Sequence, residues 1–396
     1  MFGRKNTQTK EESAVGDFPF YNGDIYLDTA CQSLRPISVQ EAMTDYYTEY
    51  NACGERAKYS WGKKVDEVVE SARKGTLEAL ELSQKTHTTT FTLNTTYVIN
   101  LLLNGITKKF SRVITTAKEH NSTYLPSIEY AKRKGIEHIS LTVTYDFIEY
   151  DKKKLEDSII VIGVVSNIDG ETKRNLQAFL KDAREMGATI ILDAAQAFAH
   201  HRDLLIGLPF DGMAFSAHKA YSASMGVVIT ENNFLKEYEP LFVGGGQVMS
   251  VSEHDYQLLP VELHTKLEPG LQAWDSIIAW DAALRYMTSN KPENKVRNLS
   301  VRLSDGLKTI PGLTTYGNPE TGVKSLIAEK VDANRLCVFL SQGKRIMTRS
   351  GYMCNHHYLK NVLDTPPLLR MSIGAHNTEK DIDDTLETLS TILRGM

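Results

Sequence analysis

Two apolar segments constrain this chain more than any other feature. Ile159–Val165 carries no charge, and Ala188–Leu192 is apolar until it ends at Asp193. Between them, Asn175–Met186 reads as a helix closed by Gly187, a residue suited to the left-handed turn that ends helices. The same alternation runs from Asp24 onward. Val65, Val68, Val69 and Ala72, then Leu77 and Leu80, recur at helical spacing. Phe110–Thr116 reads as a strand, Thr123–Lys134 as a helix and Ile139–Val143 as extended, with further short strands at Met213–Ser216 and Val227–Thr230. A strand–helix–strand rhythm of this kind implies an α/β fold whose mostly parallel sheet carries helices on both faces. No internal repeat is present, which excludes solenoids and propellers.

After about Gly270 the texture changes. Trp274–Met287 and Val296–Leu307 read as helices, followed by Ser325–Lys330 (strand), Asn334–Gln342 (helix) and strands at Arg345–Thr348 and Leu369–Ile373. A last helix starts at Thr378, with Asp381 completing a variant capping box. The expected organisation is a flexible tail over 1–17, a large domain over 18–272 whose first residues can pack on its neighbour, and a smaller α+β domain over 273–396.

Composition narrows the function classes. A net charge of -4 excludes a strongly basic nucleic-acid binder, and 41% hydrophobic with 24% charged residues excludes wholesale disorder. No uncharged apolar run reaches the roughly 18 residues of a membrane span, and the polar first residues lack the apolar core of a secretory signal. Cys31, Cys53, Cys337 and Cys354 show no C-x-x-C spacing, so neither a disulfide scaffold nor a metal site is expected, and the cytosol is the expected compartment.

In doubly covered sheets, ligands gather at the carboxyl ends of the strands. The polar residues there are Asn167, Asp193 and the run Ser216-Ala217-His218-Lys219. Lys219 is compatible with a packed stem and a solvated head, or with a desolvated amine that attacks an aldehyde. Asp193, directly after an apolar strand, needs a cationic or hydrogen-bonding partner; a helix N-terminus or a protonated ring nitrogen would serve. Gln196 lies three residues on. Asn94-Thr95-Thr96, ahead of the apolar run Tyr97–Leu103, offers either helix capping or an anion cradle, to which Ser216 and His218 could add donors. His120, just past the Val113–Thr115 strand, could stack on a flat ring and shuttle protons, or simply be a hydrogen-bonded histidine.

Taken together, these residues resemble a known family. From about residue 24 onward the chain is similar to class V pyridoxal-phosphate enzymes of the aspartate aminotransferase-like fold (fold type I), most of all to cysteine desulfurases, with selenocysteine lyases as near relatives. The resemblance rests on Tyr26-Leu27-Asp28 followed by Thr29-Ala30, Glu119-His120 with Pro126, Ser166-Asn167, Asp193-Ala194-Ala195-Gln196, Ser216-Ala217-His218-Lys219, Gly244-Gly245-Gly246 and Arg349-Ser350-Gly351-Tyr352-Met353-Cys354. It implies pyridoxal 5'-phosphate as cofactor, Lys219 as its Schiff-base lysine, Asp193 on the ring nitrogen, Gln196 near the phenolic oxygen and His120 stacked on the ring. It implies Asn94, Thr95, Thr96, Ser216 and His218 around the cofactor, and Asn167 near the substrate. It also implies Arg370, with Arg349, on the substrate carboxylate, and Cys354 as the nucleophile that takes sulfur from L-cysteine as a persulfide. A homodimer and a sulfur-acceptor or Fe-S scaffold protein follow from the same resemblance. The nearest alternatives keep the cofactor: a selenocysteine or cysteine-sulfinate lyase, or an isopenicillin-N-epimerase-like enzyme.

The chain departs from the family pattern in four places. Ala220–Gly226 replaces a glycine- and proline-containing stretch after the lysine. Leu271 stands where a threonine reaches the neighbouring subunit's phosphate, leaving Gln272 as the substitute. Asn121 replaces the second histidine after Glu119, and Tyr352-Met353 precedes Cys354 where two histidines are common.

Overall fold

The computed structural model describes residues 16–18, 23–55, 57–259 and 263–396. Its main sheet has seven strands: β1 (His87–Thr92), β2 (Arg112–Thr116), β3 (Glu137–Leu141), β4 (Ser158–Gly163), β5 (Thr189–Asp193), β6 (Gly212–Ser216) and β7 (Gly226–Glu231), in the spatial order β1-β7-β6-β5-β4-β2-β3. β7 runs antiparallel to both its neighbours, and the remaining adjacent pairs are parallel. The expected mostly parallel sheet is therefore present.

The central strands explain why both faces must be covered. Ile159 and Val161 of β4 pack into one core with Val98, Leu102 and Ala131 of helices α3 (Thr95–Gly105) and α4 (Asn121–Lys134). Ile160 and Ile162 point the other way, toward Phe179 and Leu180 of α5 (Leu176–Glu185) and Trp280 of α6 (Trp274–Asn290). Successive strand side chains alternate faces, so an apolar run without polar interruption is stable only when sandwiched. Each such side chain contributes about 1.5–3 kcal/mol on burial.

A second, four-stranded antiparallel sheet is built from β8 (Leu313–Tyr316), β9 (Val323–Ala328), β10 (Arg349–Gly351) and β11 (Leu368–Ser372), in the order β8-β9-β11-β10. Its core takes side chains from α7 (Pro292–Lys308), α8 (Ala333–Lys344) and α9 (Glu379–Arg394). The capping box at Thr378 and Asp381 forms in full. Ile25–Tyr26 pairs in parallel with Ile346–Met347, and Ile25 and Leu27 lie in this second core. The early chain thus crosses over to the C-terminal sheet.

One boundary differs from the sequence expectation. Trp274, Ile277, Trp280 and Met287 of α6 belong to the first core, and beyond α6 the second core resumes at Val296. Helix α6 packs against α1 (Ile37–Glu49) and α2 (Ser60–Glu78), with Trp280 Nε1 donating to Thr76 Oγ1 at 2.8 Å. The division between cores therefore follows α6 instead of preceding it at 272. Of the expected tail, residues 1–15 lie outside the described residues, while the Asp17 carbonyl accepts from the Ile37 N–H and Phe18 is buried in the first core.

Near the edge strand β1, Arg73 and Glu268 form a buried two-point ion pair at 2.8 and 2.6 Å, and Arg73 also donates to the Thr89 carbonyl. Removing one member of such a pair leaves a buried charge, at a cost of about 3–5 kcal/mol. Arg73→Leu is expected to lower the chemical-unfolding free energy by that amount, and adding Glu268→Leu to recover part of it. Equal stability of the Arg73→Leu protein and the parent would contradict this assignment.

Candidate active site

A cavity of about 430 Å³ opens at the carboxyl ends of β4, β5 and β6. It brings together Asn94, Thr95, Thr96, His120, Asn167, Asp193, Gln196, Ser216, His218 and Lys219. Gln272 stays outside, donating to the Glu268 and Gly270 carbonyls, while Leu271 is exposed.

Lys219 ends the short turn Ala217–Lys219 that follows β6. The Ala220–Gly226 stretch is braced by contacts from the early chain. The Tyr221 N–H donates to Ser33 Oγ at 2.7 Å, Ser33 Oγ donates to the His218 carbonyl at 2.9 Å, and Arg35 Nε donates to the Ser222 carbonyl at 3.0 Å. Tyr221 adopts φ +65° and is fully buried, its ring packed near those of Phe18, Tyr286 and His200. A bulky residue in this region is strained by about 1–3 kcal/mol, and it persists here because the surrounding contacts determine it.

Three lysines line the cavity, and two are neutralised. Lys118 Nζ meets Asp146 at 2.7 Å and Asp169 at 2.6 Å, and Lys173 Nζ meets Glu119 at 2.8 Å. Burial alone would lower the Lys118 amine, but its two aspartates, led by Asp169, overcome that and raise it. Lys219 has no hydrogen-bond or carboxylate partner among the described residues. Burial therefore holds its amine below the ordinary lysine value, with the charge of Asp193 only partly opposing this. An amine so placed is available as base or nucleophile.

Asp193 completes β5 with its carboxylate fully oriented. Oδ1 accepts from the Ala195 N–H at 2.9 Å, and Oδ2 accepts from Ser122 Oγ at 3.2 Å and Thr123 Oγ1 at 3.1 Å. Ser122 and Thr123 were not singled out from the sequence; their place in the first turn of α4, opposite a strand end, is the signal that could have found them. His120 caps that helix. Its Nδ1 accepts from the Ser122 N–H at 3.0 Å, which leaves Nε2 to carry the proton of the neutral ring. Burial, then the charge of Lys219, lowers the His120 pKa to about 4.

The N-terminus of α3 forms the third wall. Asn94 Oδ1 accepts from the Tyr97 N–H, while Ser216 Oγ takes the Thr95 N–H at 3.1 Å and lies 2.6 Å from Thr95 Oγ1. Gly226 permits this approach, since a Cβ there would lie 2.7 Å from Asn94 N. Beside it, His218 Nδ1 is buried without a hydrogen-bond partner. On the far side, Gln196 Nε2 donates to the Ala30 carbonyl at 2.8 Å.

The C-terminal sheet carries two arginines outside this lining. Arg349 and Arg370 lie opposite each other in the β10–β11 register, and Asp28 joins them, its Oδ2 taking Arg349 at 2.7 Å and its Oδ1 taking Arg370 at 2.9 Å. Arg370 also donates to the Asn167 carbonyl at 3.1 Å, while its Nε is buried without a partner. Beyond β10 the chain turns back, with Met353 at φ +41° and Cys354 at φ +56°. Asn167 Nδ2 donates to the Met353 carbonyl at 2.8 Å, and the Asn121 N–H donates to the Cys354 carbonyl at 2.7 Å. Cys354 is exposed on an outer cavity of about 340 Å³ that shares Thr96, His120 and Ser122 with the inner one.

This donor set fits pyridoxal phosphate: a helix N-terminus for the phosphate, a flat imidazole, an oriented carboxylate for the ring nitrogen, and an amine without a counter-ion for the aldehyde. His218 lines this cavity, and among the described residues its buried Nδ1 has no hydrogen-bond partner.

The same burial sets an acid limit on the fold. His120, His218 and His376 are lowered to about 4 and His200 to about 3 from an ordinary 6.5, in each case chiefly by burial. The unfolded chain takes up these protons near pH 6.5 and the folded chain only near 4, so acid favours unfolding. Unfolding midpoints should be highest above pH 6.5 and fall steadily toward pH 4; a flat profile across that window would contradict the neutral, buried assignment.

The family description "Aminotransferase class-V" matches residues 25–385. Similar curated proteins include the probable cysteine desulfurase of Methanothermobacter thermautotrophicus, 27% identical over 97% of this chain and 98% of the relative. The probable cysteine desulfurase of Pyrococcus abyssi is 28% identical over 97% and 98%. Among solved structures, the apo cysteine desulfurase of Thermococcus onnurineus superposes with a TM-score of 0.88 at 26% identity, covering 99% of this chain and 100% of that one. With its site geometry and its match over nearly the whole length, the chain belongs to the class-V aminotransferase family.

Proposed function

We propose that the protein is a cysteine desulfurase that converts L-cysteine to L-alanine and retains the sulfur as a persulfide on Cys354. The observation that carries this reading is the placement of two unpaired groups. Lys219 faces the inner cavity without a counter-ion, and Cys354 stands exposed on the outer one, with His120 on the wall between them.

In this reading Arg370, through its unpartnered Nε, and Arg349 bind the substrate carboxylate, which suits a planar guanidinium. Asn167 holds Arg370 and the Met353 carbonyl together, so the carboxylate end and the Cys354 loop share one support. Asn94, Thr95, Thr96 and Ser216 hold the phosphate, His120 covers the ring face and Asp193 keeps the ring nitrogen protonated. Bound pyridoxal phosphate supplies the electron sink that acidifies the substrate's Cα. Lys219, whose basicity burial lowers, takes the Cα proton and later returns one to give alanine. Cys354 attacks the substrate sulfur; the S–S bond forms as the C–S bond breaks, and cysteine plus thiol become alanine plus persulfide.

The persulfide then passes to an acceptor protein that serves Fe-S assembly or thiolation, reached through the open outer cavity. A homodimer is part of the same proposal. Phe242, Val243, Met249, Val251 and Leu271 are exposed, a surface that a second copy would cover. All four cysteines are free, as suits a reducing cytosol.

The test is release of alanine and sulfide from L-cysteine with a reductant, comparing the intact protein with Cys354→Ala. The intact protein is expected to form both products, and the variant to lose more than about a hundredfold. Equal activity of the two forms would remove Cys354 from the reaction and favour direct lyase chemistry. Equal inactivity would overturn L-cysteine as the substrate.

A further inference from the structure

A second, narrower space adjoins the inner cavity at Lys219. It holds about 20 Å³, and Lys219, Gln196 and Ala195 line both spaces. The segment after β5 contributes His200 to this slot, and the early chain contributes Thr29. Two polar atoms of these residues are buried and, among the described residues, have no hydrogen-bond partner: Thr29 Oγ1 and His200 Nδ1. Thr29 as a whole is only 4% exposed. The neighbouring groups are already engaged. The Ser372 carbonyl takes the Thr29 N–H at 3.3 Å, and Ser372 Oγ takes the Ala30 N–H at 2.9 Å. On the other side, His200 Nε2 lies 3.4 Å from the Tyr221 hydroxyl, whose pKa burial raises well above the ordinary value. Tyr221 therefore keeps its proton and donates it to Nε2, and the neutral His200 ring carries its own proton on Nδ1.

A space of roughly 10–15 Å³ with two to four polar partners holds one water molecule. The slot has that size and three such groups: an N–H donor, a hydroxyl and the amine of Lys219. We propose that the slot is a water site through which Lys219 exchanges hydrogen with solvent while a substrate fills the main cavity. The inference rests on Lys219 as the base of the proposed reaction. Once Lys219 has taken the Cα proton, its ammonium trades one hydrogen with the water. One N–H bond and one O–H bond break, and one of each forms. The water then carries the substrate's hydrogen outward past the half-buried His201, which also lines the slot. The hydrogen that Lys219 later returns to the product is therefore drawn from solvent.

Two measurements on the full-length holoenzyme test this. The first is a high-resolution crystal structure of the parent protein. An ordered water within hydrogen-bond reach of both Thr29 Oγ1 and His200 Nδ1 is expected, and a slot without one would overturn the proposal. The second follows L-cysteine deuterated at Cα, turned over in ordinary water with a reductant, and reads the deuterium retained per alanine formed by mass spectrometry. Parent alanine is expected to retain little deuterium. Thr29→Val and His200→Phe are expected to raise the retained fraction several-fold, and Thr29→Ser to keep it at the parent value. High retention by the parent, or equal retention by the parent and both disruptive variants, would overturn the proposal. Because retention is counted per alanine, a variant that merely folds or loads cofactor poorly lowers the yield without moving the ratio. No alanine from the parent would overturn the desulfurase reading itself, and the crystallographic water would then decide the slot.

Discussion

One uncompensated amine organises the active site. Of the three lysines that line the inner cavity, Lys118 and Lys173 are matched to carboxylates. Lys219 is not, and desolvation holds its amine below the ordinary lysine value. Holding an amine in that state requires surroundings that cannot relax toward it. Ser33, Arg35 and the buried ring of Tyr221 fix the turn from behind, while Asp193 is already engaged by Ser122, Thr123 and the Ala195 N–H. The strain at Tyr221 and the low basicity of Lys219 thus have a common origin in the packing beneath β6.

Asp28 plays the corresponding part for the C-terminal sheet. It lies just beyond the Ile25–Tyr26 strand, bridges to Ser372 and binds both Arg349 and Arg370. This early segment therefore ties the two arginines of the C-terminal sheet together. Asn167 links Arg370 to the loop of Cys354.

How much of this could be read in the sequence follows from how local each signal is. The strands β4 and β5 and the residues past their ends were legible because an apolar run followed by a polar residue needs no knowledge of the rest of the chain. Asp193, Ser216 and Lys219 were found that way. The helix after β2 was legible but started late: it was read from Thr123, whereas His120 caps it and Asn121 begins it. The hub role of Asp28 was not legible, since it depends on a pairing with residues more than three hundred positions away. Lys118, Glu119 and Lys173 look like surface charges in sequence, and only the fold buries them as ion pairs. The left-handed backbone at Met353 and Cys354 leaves no mark in residue types that normally avoid it.

The most direct test of this account is borohydride reduction of the holoenzyme followed by peptide mass spectrometry. The absence of a counter-ion at Lys219, against full pairing at Lys118 and Lys173, predicts a pyridoxyl group on Lys219. A pyridoxyl group on Lys118 or Lys173, or a protein that takes up no cofactor, would contradict it.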